Sequence, residues 1–168
     1  MGVRADIILP ILWGLVVGGA GAWLTELSPW YHKLKRPSWQ PPDWAFGPAW
    51  TLILTLASYS AYLGWQHAHD EGSRTMVIAL FVANGVANLL WSPLFFKLRR
   101  PDWALIEVPF LWLSILMPIV LLWPLSPTAS LVLVPYLLWV SFAAALNLAI
   151  VRLNAPFGAT SLAGSGAG

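Results

Sequence analysis

The sequence predicts an all-α integral membrane protein, a bundle of five transmembrane helices. Three observations predict it. The 168-residue chain is 58% hydrophobic and only 10% charged, with a mean hydropathy of +0.70. Ordinary soluble domains run at roughly 45–50% and about 25%, so this chain cannot cover itself with polar surface in water. Apolar segments Ile7–Leu24, Trp44–Trp65, Met76–Phe96, Trp103–Trp123 and Ser130–Val151 each approach or exceed the ~20 residues a helix needs to cross a bilayer. Their apolar residues do not alternate, which argues against a β-barrel. Lipid offers the backbone no partners, so the segments must satisfy their own hydrogen bonds as helices. One transmembrane domain over residues 1–153 is expected, followed by a flexible Gly/Ala/Ser-rich tail at 154–168.

The first segment lacks a basic leader and a small-residue cleavage site and reads as a retained span. It carries Gly14 and Gly18 in a GxxxG pair, continued by Gly19, Gly21 and Ala22. Small residues permit close helix approach, either within the bundle or between two copies in a homodimer. The second segment follows a proline-rich loop. The third carries Asn84, Asn88 and Trp91 at i, i+4, i+7, on one face. The fourth holds Glu107, an intramembrane acid that reads either as a proton relay or as a partner of Arg100. The fifth places Trp139, Ala143, Leu146 and Asn147 on one face, with the small Ala143 leaving room between tryptophan and amide. Asn88 and Asn147 serve either as interhelical glue or as ligand contacts. Pro10, Pro93, Pro118 and Pro135 are positions where helices can kink and open space. Trp13, Trp65 and Trp123 read as an interfacial belt, whereas Trp91, Trp112 and Trp139 fall deeper.

The nine basic residues set the orientation. Arg4 and Arg74 fall on one side; Lys33, Lys35, Arg36, Lys97, Arg99, Arg100 and Arg152 fall on the other. The positive-inside rule then puts the N-terminus outside and the C-terminus in the cytoplasm, as in a bacterial inner membrane. Membrane lipid is one expected partner. The net charge of +2 is small and its basic residues lie in loops, so nucleic acid is not implied. There is no cysteine, hence no disulfide frame and no thiolate nucleophile. The i, i+2 spacing of His67 and His69 in a polar loop is weak for a metal site, and no hydrolase, phosphate-loop or EF-hand motif appears. No cofactor is required by any motif.

The most informative stretch is WYHKLKRPSWQPPDWAFGPAW, Trp30 to Trp50. Pro37, Pro41, Pro42 and Pro48 stiffen it, because each ring fixes φ and removes a donor. Trp30, Trp39, Trp44 and Trp50 give it large, flat amphipathic surfaces. A rigid aromatic entrance at the mouth of a bundle suits a flat apolar ligand better than an ion or a sugar.

This stretch, together with NLLWSPLFF (Asn88–Phe96) and VPYLLWVSFAAALN (Val134–Asn147), resembles the translocator protein family, also called the tryptophan-rich sensory protein (TspO/MBR) or peripheral-type benzodiazepine receptor family. The resemblance runs from about Leu9 to Asn154. It implies a five-helix bundle with an internal cavity opening toward the first loop. It implies porphyrin ligands such as protoporphyrin IX or haem, or sterol-like molecules, and a role in tetrapyrrole sensing, transport or homeostasis. The matching pocket positions are Gly19, Trp23, Trp39, Phe46, Trp50, Asn88, Trp91, Phe95, Trp103, Trp139, Ala143, Leu146 and Asn147. Trp50 and Trp139 are the pair that the resemblance ties to porphyrin photochemistry, and so the only catalytic candidates for light-dependent porphyrin breakdown. The chain departs from the family at Leu54, where a tyrosine is common, and at Asp43, where animal members have histidine. The run Leu146–Asn154 lacks the central tyrosine of the animal sterol-recognition stretch.

Overall fold

The computed structural model describes residues 4–158. The chain folds into helices α1 (Ala5–Leu24), α2 (Pro29–Lys33), α3 (Phe46–His67), α4 (Glu71–Ser92), α5 (Pro101–Leu121), α6 (Pro127–Leu131) and α7 (Val134–Asn154). Among the described residues, four stretches are long and apolar enough to cross a membrane: Ala5–Leu24, Glu71–Lys97, Pro101–Leu121 and Pro127–Asn154. The protein is therefore an integral membrane protein. The expected second span coincides with α3. Its 22 residues suffice in length, about 33 Å at 1.5 Å per residue, but Thr51, Thr55, Ser58, Ser60, Tyr62 and Gln66 lower its hydropathy.

The helix ends follow local chemistry. Asp70 caps α4, its carboxylate accepting from the Ser73 N–H at 2.9 Å and from the Ser73 hydroxyl. The Ser73 hydroxyl, above all, holds that carboxyl below its ordinary range. Pro101 opens α5, where a missing N–H costs nothing. Pro135 likewise sits in the first turn of α7 and does not kink a helix interior as the sequence reading expected, whereas Pro10 and Pro118 do lie inside helices. Pro93 has the largest local effect. From it, residues Pro93–Lys97 continue α4 as a π-turn, closed by the Leu98 N–H on the Pro93 carbonyl at 2.9 Å. The widened turn lets consecutive Phe95 and Phe96 both pack inward, at 2% and 8% exposure.

Small residues seat α1. A β-carbon on Gly14 would run into Ser58 Oγ, and one on Gly18 would lie 3.3 Å from Leu54. The GxxxG pair is thus used inside the bundle, against α3. On its other side α1 meets α4, where Gly85 leaves room for Trp13 and the Trp13 Nε1–H donates to the Phe81 carbonyl at 2.8 Å. Trp13 is therefore a packing anchor between helices and not an interfacial belt residue. The main core lies among α3, α4, α5, α6 and α7, around Tyr136, Ile115 and Leu133. A second cluster at the loop end gathers Tyr31, Phe95, Phe96, Ala104, Leu146 and Ile150.

Asn154, expected to open the tail, belongs to helix α7. It is the last residue of that helix and is fixed: its Nδ2 donates to the Lys35 carbonyl and its Oδ1 accepts from the Lys35 N–H, both at 2.8 Å. Residues 159–168 lie outside the described residues.

Candidate functional site

A cavity of about 820 Å³ lies among α1, α3, α4, α5 and α7, with the first loop lining one end. Its aromatic wall comes from two directions. From α3 and α7, Trp50 and Trp139 meet edge to face, ring centres 6.3 Å apart at 88°, and Phe46 packs on Trp139 at 5.8 Å. From α4, Trp91 stacks on Phe95 at 5.0 Å and 26°. Edge-to-face and offset pairs are the arrangements that the ring quadrupole favours, so the wall is rigid. On the α1 side the wall is small. Nothing lies within 4 Å of a β-carbon built on Gly19, Gly21 or Gly47. Helices α1 and α3 thus touch at Gly14 and Gly18 and leave a gap toward the loop.

The structure brings together Gly19, Phe46, Trp50, Asn88, Trp91, Phe95, Trp139, Ala143, Leu146 and Asn147 around this cavity. Trp23, Trp39 and Trp103 stand outside it, at 75%, 49% and 46% exposure. Each has another contact. The Lys97 ammonium sits 4.1 Å over the Trp23 ring, Arg100 sits 4.3 Å over Trp103, and Trp39 packs its edge on Phe142 at 5.8 Å. These are cation–π and aromatic contacts of the bundle's rim.

The amides are tied into the bundle. Asn147 is buried and, oriented by hydrogen bonding, donates to the Pro101 carbonyl at 3.0 Å and accepts from the Leu105 N–H at 3.2 Å. Asn88 donates to the Tyr136 hydroxyl at 2.8 Å. Both therefore act as interhelical glue while bordering the cavity. The Trp139 Nε1–H is buried and has no partner among the described residues, so it is an unused donor on the wall. Glu107 does not pair with Arg100 as expected. Arg100 forks onto Asp102, with Nε at 2.8 Å, while both Glu107 oxygens are buried and without a partner among the described residues. The reason is distance along the chain: Asp102 follows the N-cap Arg100 by two residues and takes its guanidinium on both carboxylate oxygens. His67 is likewise used locally, its Nδ1 lying 2.8 Å from the Leu63 carbonyl.

The loop folds over the cavity end through side chains that composition alone did not single out. The Tyr31 hydroxyl donates to Asp43 at 2.9 Å, and Arg36 pairs with the same Asp43 oxygen at 3.2 Å. Gln40 donates to Tyr31 at 3.3 Å, and the Arg36 guanidinium lies 5.0 Å over the Tyr31 ring. Burial, reinforced by the Asp43 carboxylate, pushes the Tyr31 phenol above its ordinary pKa. Tyr31, Gln40 and Asp43 all line the cavity. The signal for them was the sequence Tyr31–Asp43 itself, polar residues interleaved with prolines that bend the segment back on itself.

The three blocks that carry the family resemblance thus converge on one cavity. The model of the TspO/MBR family matches residues 7–153. The chain belongs to the TspO/MBR family. Among its relatives, the tryptophan-rich protein TspO of Archaeoglobus fulgidus is 40% identical over 89% of this chain and 97% of its own length. Protein CrtK of Rhodobacter capsulatus is 38% identical over 80% of this chain and 86% of its own length. Human translocator protein is 32% identical, covering 74% of this chain and 75% of its own length. Within this TspO/MBR chain the matched region takes in every cavity-lining helix.

Proposed function

We propose that the protein is a five-span membrane receptor or translocator that binds porphyrins such as protoporphyrin IX, or similarly flat apolar ligands, in this cavity. Its role would lie in tetrapyrrole sensing, transport or homeostasis. The observation that carries the reading is the aromatic wall, where Trp50, Trp139 and Phe46 from two helices meet a cavity of about 820 Å³ that Trp91 and Phe95 also border. Ligand sites run roughly 300–1,000 Å³ and are mostly apolar with a few placed polar groups, which fits this lining. Helix α3 is read as the fifth span because it lies between α1 and α7 around the cavity and matches them in length. The basic excess at the loop end supports an inner-membrane orientation with the N-terminus outside. Exposed Lys33 and Lys35 at the mouth offer charge to a ligand's carboxylates. Arg36 is engaged by Asp43 and is less free to do so.

The test is titration of detergent-purified protein with protoporphyrin IX, following tryptophan fluorescence. Saturable quenching is expected. Ala143→Thr adds bulk to the cavity between Trp139 and Asn147 and is expected to weaken binding roughly tenfold, within the 1–3 kcal/mol range of overpacking. Unsaturable quenching, indifferent to Ala143→Thr, would mean partitioning into the micelle and would sink the proposal.

A second reading, light-dependent porphyrin breakdown, is favoured by one observation: Trp50 and Trp139 touch each other on the cavity wall, and the Trp139 N–H is unused. Replacing both by phenylalanine keeps the wall aromatic. If the tryptophans carry chemistry, this double variant still binds porphyrin but no longer bleaches it under light. Equal bleaching in the two proteins would leave these tryptophans a packing role alone.

A further inference from the structure

A buried chain of hydrogen bonds crosses the bundle behind the cavity, and it runs in one direction. Its far end is backbone. The Ser114 hydroxyl donates to the Leu111 carbonyl at 2.6 Å. A carbonyl oxygen only accepts, so the single Ser114 proton is used there. The Ser114 oxygen is then free to receive Asn84 Nδ2, at 2.9 Å. That turns Asn84 Oδ1 toward α7, where the Tyr136 hydroxyl donates to it at 3.2 Å. With its proton used, the Tyr136 oxygen accepts from Asn88 Nδ2 at 2.8 Å. Asn88 borders the cavity, and no group among the described residues donates to its Oδ1.

The reverse direction is the poorer one. It would keep the three side-chain bonds but lose the fourth, to Leu111. It would also leave the Ser114 and Leu111 oxygens 2.6 Å apart with no proton between them. Asn84 and Tyr136 are 2% and 1% exposed, so water does not replace a lost partner. In such a low-dielectric chain each bond polarises the next.

We propose that this directional chain holds the Asn88 amide with its Oδ1 uncommitted on the cavity wall, as an open acceptor, so that the site favours ligands presenting an uncharged O–H or N–H donor to that oxygen. An ether, carbonyl or carboxylate oxygen gains nothing at Asn88 Oδ1, because two acceptors then face each other. Tyr136 and Ser114 are positioning residues; neither lines the cavity. The inference rests on the reading of the cavity as a site for flat apolar ligands.

The test uses two uncharged, metal-free porphyrins. One has both propionates of protoporphyrin IX reduced to propanols, and the other is its bis-methyl ether. They share a macrocycle and differ in their O–H donors. Wild-type protein is expected to prefer the diol roughly fivefold, the worth of about one hydrogen bond. Ser114→Ala removes the terminal donor and lets the chain reverse. Tyr136→Phe frees the Asn88 amide outright. In each, the diol-to-ether preference is expected to fall below about twofold. A purely structural role would weaken both ligands together and leave the ratio unchanged. Ser114→Ala, remote from the wall, keeps the test alive if Tyr136→Phe does not fold. Saturable binding of both ligands without preference, or a preference that survives Ser114→Ala, overturns the inference alone. If neither ligand saturates, the reading of the cavity falls, and the inference with it.

Discussion

Trp139→Ala is expected to weaken porphyrin binding roughly tenfold or more and to lower stability by about 2–3 kcal/mol, read as thermal melting in detergent. The Trp139 ring meets Phe46 at 5.8 Å, Trp50 at 6.3 Å and Phe142 at 5.5 Å. Truncating a buried tryptophan costs roughly 3–5 kcal/mol. This ring is only partly buried, and lipid tails are as apolar as the ring, so the cost falls to or below the lower end of that range. Binding suffers as well as stability. Aromatic pairs are worth about 0.5–1.5 kcal/mol each beyond their area, and three neighbours lose their orientation together. Affinity should fall by roughly tenfold or more. A variant that melts lower yet binds porphyrin with unchanged affinity would show that the ligand sits elsewhere.

Gly85→Leu is expected to unseat α1 and to cost about 3 kcal/mol. A β-carbon at Gly85 would lie 2.9 Å from Trp13 Nε1 and 3.3 Å from Val17. The indole must move, and its hydrogen bond to the Phe81 carbonyl goes with it. Overpacking costs about 1–3 kcal/mol and the lost bond about 1 kcal/mol. Because Val17 also borders the cavity, porphyrin affinity should fall alongside. Gly47→Ala is the control. Its β-carbon meets nothing, so melting should be unchanged or slightly raised, because alanine favours helix over glycine. Equal destabilisation at both positions would refute the packing argument.

How much of the site was legible before folding depends on the kind of contact. The faces Asn84–Asn88–Trp91 and Trp139–Ala143–Asn147 follow from helical periodicity, and each borders the cavity or the network behind it. Periodicity says which residues share a face. It does not say what stands opposite. Asn88 and Asn147 therefore stayed divided between glue and ligand contact until Tyr136 and the first turn of α5 appeared across from them. Tyr136 itself gave no signal beyond being an aromatic residue near a helix start. Its importance comes from Asn84 and Asn88, 52 and 48 residues away. Trp23, Trp39 and Trp103 looked equivalent to Trp50 by type and neighbourhood, yet they lie on outward faces.

The sequence by itself determined the solvent this protein lives in and the places where its backbone is helical. Those depend on composition and on short-range spacing, which a bilayer reads directly. It also determined where helices begin, at Asp70 and Pro101, and where one widens, at Pro93, since caps and missing N–H groups act within a turn. Only the tertiary structure decided that Gly14 and Gly18 meet α3, that Arg100 belongs to Asp102 and leaves Glu107 unpaired among the described residues, and that Asn154 holds the loop at Lys35. It alone set the direction of the Ser114–Asn84–Tyr136–Asn88 chain. Each of these outcomes depends on which surface stands across from which, within a few ångströms, between residues up to 119 positions apart.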